Sequence, residues 1–228
     1  MEGDTKLIVF LDREETNGYR WVFRAETLEA TFVPLLSFIL QTSIIDDFSI
    51  FHHAGCPIKC LESLESTTPY QINTLRGYVP LCLIEKCARN AVKKFGISRM
   101  EFKKRLVPRL LTFPALESTK DWDLHLDRCP DLGVGFARKF MDIDVNIRSS
   151  LNFGTVSNET IDDFVERMGD LRIVDRTDAL VRFETNNPEK HVIMMKFDKR
   201  QYSHEHRFVM VVVSADIEAS QYDNYLFG

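Results

Sequence analysis

Two apolar and aromatic runs open the chain, LIVFL over 7–11 and YRWVFR over 19–24, and the polar segment between them ends in Asn17-Gly18. That pair reaches positive φ at low cost, so the pattern predicts a β-hairpin. In ETLEATFVPLLSFIL the residues Leu28, Phe32, Leu35, Leu36, Ile39 and Leu40 recur at helical spacing, which predicts a helix that Pro34 kinks or divides. Phe48, Ile50 and His52 alternate with Ser49, Phe51 and His53, as in a strand ending at Gly55. Residues 62–79 are dense in Ser, Thr, Pro and Gly and read as an exposed loop or an internal boundary.

Pro80 then opens LCLIEKCARNAVKKFG, where Ile84, Cys87, Ala88, Ala91, Val92 and Phe95 form a helical stripe that Gly96 terminates. Ser98 and Glu101 make a capping-box pattern ahead of Phe102, Leu106 and Leu110, so 80–113 reads as a helix pair whose second member Pro108 disturbs. Pro114 to Gly135 is turn-rich, and Phe140 to Ile147 alternates like a strand. Ser157 or Asn158 caps a helix that turns Ile161, Phe164, Val165 and Met168 inward. After Gly169 the period changes to two: LRIV, ALVRF, HVIMMKF and RFVMVVVS read as an antiparallel meander, with NNPEK as its clearest turn. The final SQYDNYLFG reads either as a docked tail or as a flexible peptide ligand.

The fold class is therefore α+β: an N-terminal hairpin and helix, a central basic helix pair, and a C-terminal antiparallel sheet with a packed helix. The regions are 1–79, 80–113 and 114–228, and one continuous domain can hold all three. With 228 residues and 44% hydrophobic content, the chain buries a core without a metal or disulfide staple. Its five cysteines suggest no paired framework, and no signal-peptide pattern opens the sequence, so the expected setting is reducing and intracellular, cytoplasmic or nuclear. The longest apolar stretches reach about half a bilayer, and no membrane association is expected.

Charge changes this picture more than composition does. Residues 1–79 hold 6 basic and 11 acidic residues, 80–113 hold 9 and 2, and 114–228 hold 14 and 21; the net values −5, +7 and −7 give the overall −5. Lys86, Arg89, Lys93 and Lys94, followed by Arg99, Lys103, Lys104, Arg105 and Arg109, form a basic segment suited to an acidic protein or a phosphate backbone.

Candidate chemistry lies elsewhere. If KFMDIDVNI is a strand, Asp142 and Asp144 point to one side and can share a divalent cation. The 13-residue stretch GVGFARKFMDIDV resembles the glycine-plus-paired-carboxylate region of nucleotidyltransferases, although the usual Gly-Ser pair is absent; its Asp-x-Asp portion resembles archaeo-eukaryotic primases. That chemistry calls for Mg or Mn; the resemblance fixes no third carboxylate, and Asp198 or Asp216, each near the end of a later strand, is the candidate third ligand, with Lys139 or Arg148 as the candidate phosphate contact. His52, His53, Cys56 and Cys60 have the chemistry for Zn, completed by a distant Cys, His204 or His206, but adjacent strand histidines face opposite ways. Ser149, Ser150 and Ser157 lack a nucleophile elbow, and Cys87 sits on the apolar stripe. DWDLHLDRCPD lacks the glycine and glutamate of an EF-hand loop and reads as a polar loop.

The leading expectation is a non-enzymatic protein-interaction or assembly subunit, without cofactor, using the basic helices and aromatic anchors toward a protein partner or a second copy. Metal-dependent nucleotidyl or phosphoryl transfer through Asp142 and Asp144 is one alternative, and nucleic-acid binding through the basic helices is the other.

Overall fold

The computed structural model describes residues 6–13, 16–24, 33–50, 61, 64, 66–77, 79–97, 107–110, 112–125, 130–155, 159–198 and 206–226. The N-terminal hairpin is present. β1 (Lys6–Arg13) and β2 (Thr16–Arg24) pair antiparallel from Lys6 opposite Arg24 to Arg13 opposite Thr16. Their connection is residues 14–15, and Asn17-Gly18 falls inside β2. The following helix, α1 (Val33–Thr42), carries Pro34 in its first turn, where no intrahelical amide bond is lost, so the helix is not divided there. Val33, Leu36 and Leu40 are buried, whereas Leu35 and Phe38 are exposed.

Five parallel strands follow in chain order: β3 (Ile44–Ile50), β4 (Gln71–Gly77), β5 (Lys94–Ile97), β6 (Asp121–His125) and β7 (Ser150–Thr155). Their starts lie 27, 23, 27 and 29 residues apart. The connections carry α2 (Leu81–Lys86), α3 (Val107–Leu110), a 3-10 turn at Pro114–Leu116 and α4 (Pro130–Asp142). Each strand is followed by a connection of 16 to 24 residues and pairs with its predecessor, the neighbour-to-neighbour order that solenoids also use.

β7 then meets the C-terminal meander. The sheet continues antiparallel through β11 (His206–Ser214), β10 (Lys190–Asp198), β9 (Leu180–Glu184) and β8 (Ile173–Arg176), giving the nine-stranded order β3-β4-β5-β6-β7-β11-β10-β9-β8. The four runs with period two are thus the four meander strands. Between β7 and β8, α5 (Ile161–Met168) buries Ile161, Phe164 and Met168. Its cap is Thr160, which exchanges hydrogen bonds with Asp163 in a capping box, rather than Ser157 or Asn158.

One face of the sheet forms the main core. Leu75, Phe95, Trp122, Leu151, Met210, Met194 and Val181 are successive register partners across seven strands, and all are buried. Beside them Phe153 and Phe208 stack with Phe164 of α5. A Cβ on Gly133 would come within 2.9 Å of the Phe153 ring, so α4 lies against the sheet at a distance only glycine permits.

Three sequence expectations are corrected. Within the expected loop at 62–79 lies β4, whose Ile72 and Leu75 become fully buried once β3 and β5 flank it. The expected helix over 80–96 stops at Lys86: Cys87 is extended, Asn90 has φ 59°, and Lys94–Ile97 is β5. Neighbouring segments satisfy this backbone, with the amides of Asn90, Val92 and Lys93 donating to the carbonyls of Pro114, Ala115 and Asn73. The stripe residues Ile84, Cys87, Ala91, Val92 and Phe95 are nonetheless buried. Finally, Phe140 to Ile147 is no strand, since α4 runs to Asp142 and irregular chain follows.

Candidate interaction surface

The second face of the sheet divides into two halves of opposite character. Across the parallel half its outward positions are polar: Asp47, Thr74, Lys94, Asp121 and Ser150 are aligned in register, as are Ser49, Arg76, Gly96, Asp123 and Asn152. Arg207 of β11 extends the second group, its guanidinium 3.7 Å from Asp123. Lys94 lies 3.6 Å from Asp121, and Arg76 lies 4.0 Å from Asp47. Except for Arg207, whose side chain is 25% exposed, these charges stay in water, with side chains 53% exposed for Arg76, 55% for Lys94 and 52% for Asp123. Exposed pairs of this kind contribute about 0–1 kcal/mol each, so they add little to the stability of the fold.

The alternation in DWDLH is what builds this surface. Trp122 and Leu124 enter the core while Asp121 and Asp123 point outward, a period-two signal that a polar-loop reading of the same residues passes over.

Over the antiparallel half the same face is apolar and covered. Leu180, Ile193 and Val213 form a second core with Ile217 and Tyr222 of the segment after β11. That segment contains a 3-10 turn at Ala219–Gln221 and α6 (Asp223–Leu226), so the C-terminal tail is docked on the sheet. At its centre Arg182 is 6% exposed. Its Nε donates to His191 Nδ1 at 2.8 Å, and its guanidinium reaches the carbonyls of Ala215 at 2.7 Å and Ile217 at 2.8 Å and the Tyr222 hydroxyl at 2.9 Å. Sequence reading missed Arg182, because a lone arginine in ALVRF carries no signal of burial.

Of the described basic residues expected on a helix pair, Lys86 ends α2 and Arg109 lies in α3, while Arg89, Lys93 and Lys94 occupy a turn, a bend and the start of β5. Arg89 pairs with Glu117 at 2.9 Å, Lys94 faces Asp121, and Arg109 pairs with Glu85 and lies over the Phe113 ring. The Lys86 ammonium donates to the Leu64 carbonyl, and Lys93 donates to the Asn90 carbonyl and Ser118 hydroxyl. Arg99, Lys103, Lys104 and Arg105 lie outside the described residues. The expected aromatic anchors mostly fill the core, as Phe95, Phe136, Phe140, Phe153, Phe183 and Phe208 do; Phe38 is the exposed exception among the described phenylalanines of known burial.

The paired aspartates are not strand neighbours. Asp142 ends α4, and Asp144 accepts from Lys190 Nζ at 2.6 Å and Asn187 Nδ2 at 3.1 Å. Those two hydrogen bonds, Lys190's foremost, hold the Asp144 carboxyl below the usual carboxylate range. Both aspartates border a cavity of about 430 Å³ that Phe140, Val192 and Val212 also line. Asp198 stands at the opposite end of β10 from Lys190, roughly 26 Å away along an extended strand, so it does not join them. Asp216 lies in the turn after β11, Lys139 is exposed on α4, and the Arg148 guanidinium lies over the Tyr225 ring. Gly133 and Gly135 are both within α4, Gly133 against the Phe153 ring.

Among the described residues no three His, Cys, Asp or Glu side chains are grouped to hold a metal ion. His52, His53, Cys56, Cys60 and His204 lie outside them, and His206 begins β11 opposite Asp198. Nor, among the described residues, is any helix long and apolar enough to cross a membrane. Burial pushes the Cys87 thiol up to about 12, which keeps it protonated and unreactive at neutral pH. Iodoacetamide is accordingly expected to alkylate half-buried Cys82 before Cys87 in the native chain; equal labelling by peptide mass spectrometry would contradict the burial.

No family model matches this chain, and no curated protein or solved structure matches it.

Proposed function

We propose that this chain is a non-enzymatic protein-interaction module that receives its partner on the open face of the parallel half-sheet. The observation carrying this reading is that Asp47, Arg76, Lys94, Asp121 and Asp123 leave one face of five parallel strands in water. Parallel sheets are ordinarily covered on both faces, and solenoids, which leave one open, use it for binding. On this chain the tail covers only the antiparallel half of that face.

Charge order selects the class of partner. Carboxylates on β3 and β6 flank the cations on β4 and β5, and Arg207 of β11 stands beyond neutral β7, so a polyanion meets repulsion on two of the six strands, while a protein surface bearing both signs is complementary. The free thiol of Cys87 supports a reducing, intracellular setting.

The test is affinity purification of the full chain from its native source, quantified against two charge-reversed variants. Arg76→Glu with Asp123→Lys is expected to lose at least about 90% of the specific partner, a change of more than 1.4 kcal/mol. Arg89→Glu with Lys93→Glu, in the turn and bend before β5, is expected to retain it. Retention by the first variant with loss by the second would move the interface to the basic segment. Enrichment of nucleic acid, lost at high salt, would favour the nucleic-acid reading instead.

A further inference from the structure

His191, Ile193 and Val213 project from the same face as Arg182, so the docked tail is held over one connected patch of β9, β10 and β11. Arg182 is its hub, and five neutral partners surround the guanidinium: His191 Nδ1, the Tyr222 hydroxyl and the carbonyls of Ser214, Ala215 and Ile217. Three of those carbonyls and the tyrosine belong to the end of β11 and the tail itself. The orientation of Arg182 therefore decides whether the tail's polar groups are satisfied.

His191 fixes that orientation from the strand side. Its Nδ1 accepts the Arg182 Nε proton, which requires a lone pair and hence a neutral ring with its proton on Nε2. Protonation turns that acceptor into a donor and places two cations in contact inside a mostly covered patch. We infer that residues 215–226 form a pH-gated strap, released from the β9–β11 face when His191 becomes protonated.

The surrounding charges set the direction. Burial, and then Arg182, hold His191 below its ordinary value, while Glu184, its register partner on β9, acts the other way. Glu184 itself pairs with Arg172 at 3.2 Å. On β11 the register partner is apolar Val213, and beyond Tyr222 stands Asp175 of β8, 3.3 Å from the phenol. A histidine whose native value is depressed gives stability that is full above its ordinary value of about 6.5 and declines as pH falls through it toward the native value. Release therefore accompanies acidification.

Hydrogen exchange of the full chain, read by mass spectrometry at about pH 7.5 and about pH 5, tests this across the interval in which histidine titrates. After correction for intrinsic rates, protection over 215–226 is expected to fall on the order of tenfold or more at the lower pH, relative to peptides from β5 and β6. His191→Gln, neutral throughout and still able to accept from Arg182, is expected to show no such fall. Glu184→Gln, at a half-exposed position that should leave folding intact, is expected to move release to lower pH. An unchanged wild-type strap, the same fall in His191→Gln, or an unmoved midpoint in Glu184→Gln would each overturn the inference.

Discussion

Replacing Gly77 by alanine is expected to lower the unfolding free energy by about 3–4 kcal/mol, because two separate costs meet at this residue. Gly77 ends β4 with φ +90°, a backbone conformation that residues bearing a Cβ rarely adopt. A Cβ built there would stand 2.0 Å from the Ile50 carbonyl oxygen, and that oxygen belongs to backbone, which cannot rotate aside. Ile50 is the register partner of Gly77, so relief of the clash must separate β3 from β4 at the edge of the sheet. Gly154→Ala in β7 is the matched control: nothing lies within 4 Å of its added Cβ, and a change below about 1 kcal/mol is expected. Urea unfolding followed by circular dichroism measures both. Equal midpoints would refute the close approach of β3 and β4.

The second large effect is expected at the seam between the two halves of the sheet. Phe208 lies on β11 with its ring 4.9 Å from Phe164 and 5.5 Å from Phe153, and it is fully buried. Phe208→Ala removes this ring from a cluster shared by β7, β11 and α5, and a loss of about 4 kcal/mol is expected from transfer, cavity and ring-contact contributions together. Phe208→Leu keeps most of the apolar volume and should lose less than half as much. Against a total stability of roughly 5–15 kcal/mol, the alanine variant should unfold at markedly lower urea than the leucine variant. Indistinguishable midpoints would show that the cluster does not join the halves.

The apolar runs after Gly169 were legible because each strand they form pairs with a sequence neighbour, although β8 buries no residue and β9 buries four in succession, Leu180 to Phe183. The helix at 161–168 was legible because its apolar stripe is local, although its cap is Thr160 rather than Ser157 or Asn158. The same logic failed at 80–97. Ile84, Cys87, Val92 and Phe95 do face the core, but the spacing that marks a helical stripe is also compatible with a short helix, a turn and a four-residue strand. What decides between them is the carbonyls of Asn73, Pro114 and Ala115, which take up the amides of 90–93 and belong to other units of the stack.

The aspartates show the same limit. DID reads as strand when isolated, yet α4 must continue to Asp142 for Phe136 and Phe140 to pack under the sheet, and Asp144 is claimed by Lys190 from 46 residues away. Conversely, DWDLH reads as a loop until β5 and β7 flank it, whereupon its alternation becomes two core residues and two outward carboxylates.

The amino-acid order alone determined much of the apolar core and where the antiparallel strands lie, because both depend on local hydrophobic pattern, but not the burial of Arg182 or of Ile72 and Leu75 in β4. It also determined the uneven distribution of charge. Only the tertiary structure decided that β3 to β7 are parallel and that their outward charges form one open face. It alone placed Arg182 under the C-terminal strap, because parallel pairing joins segments more than 20 residues apart, the Arg182 partners in the strap lie 33 to 40 residues away, and no local pattern encodes partners that distant.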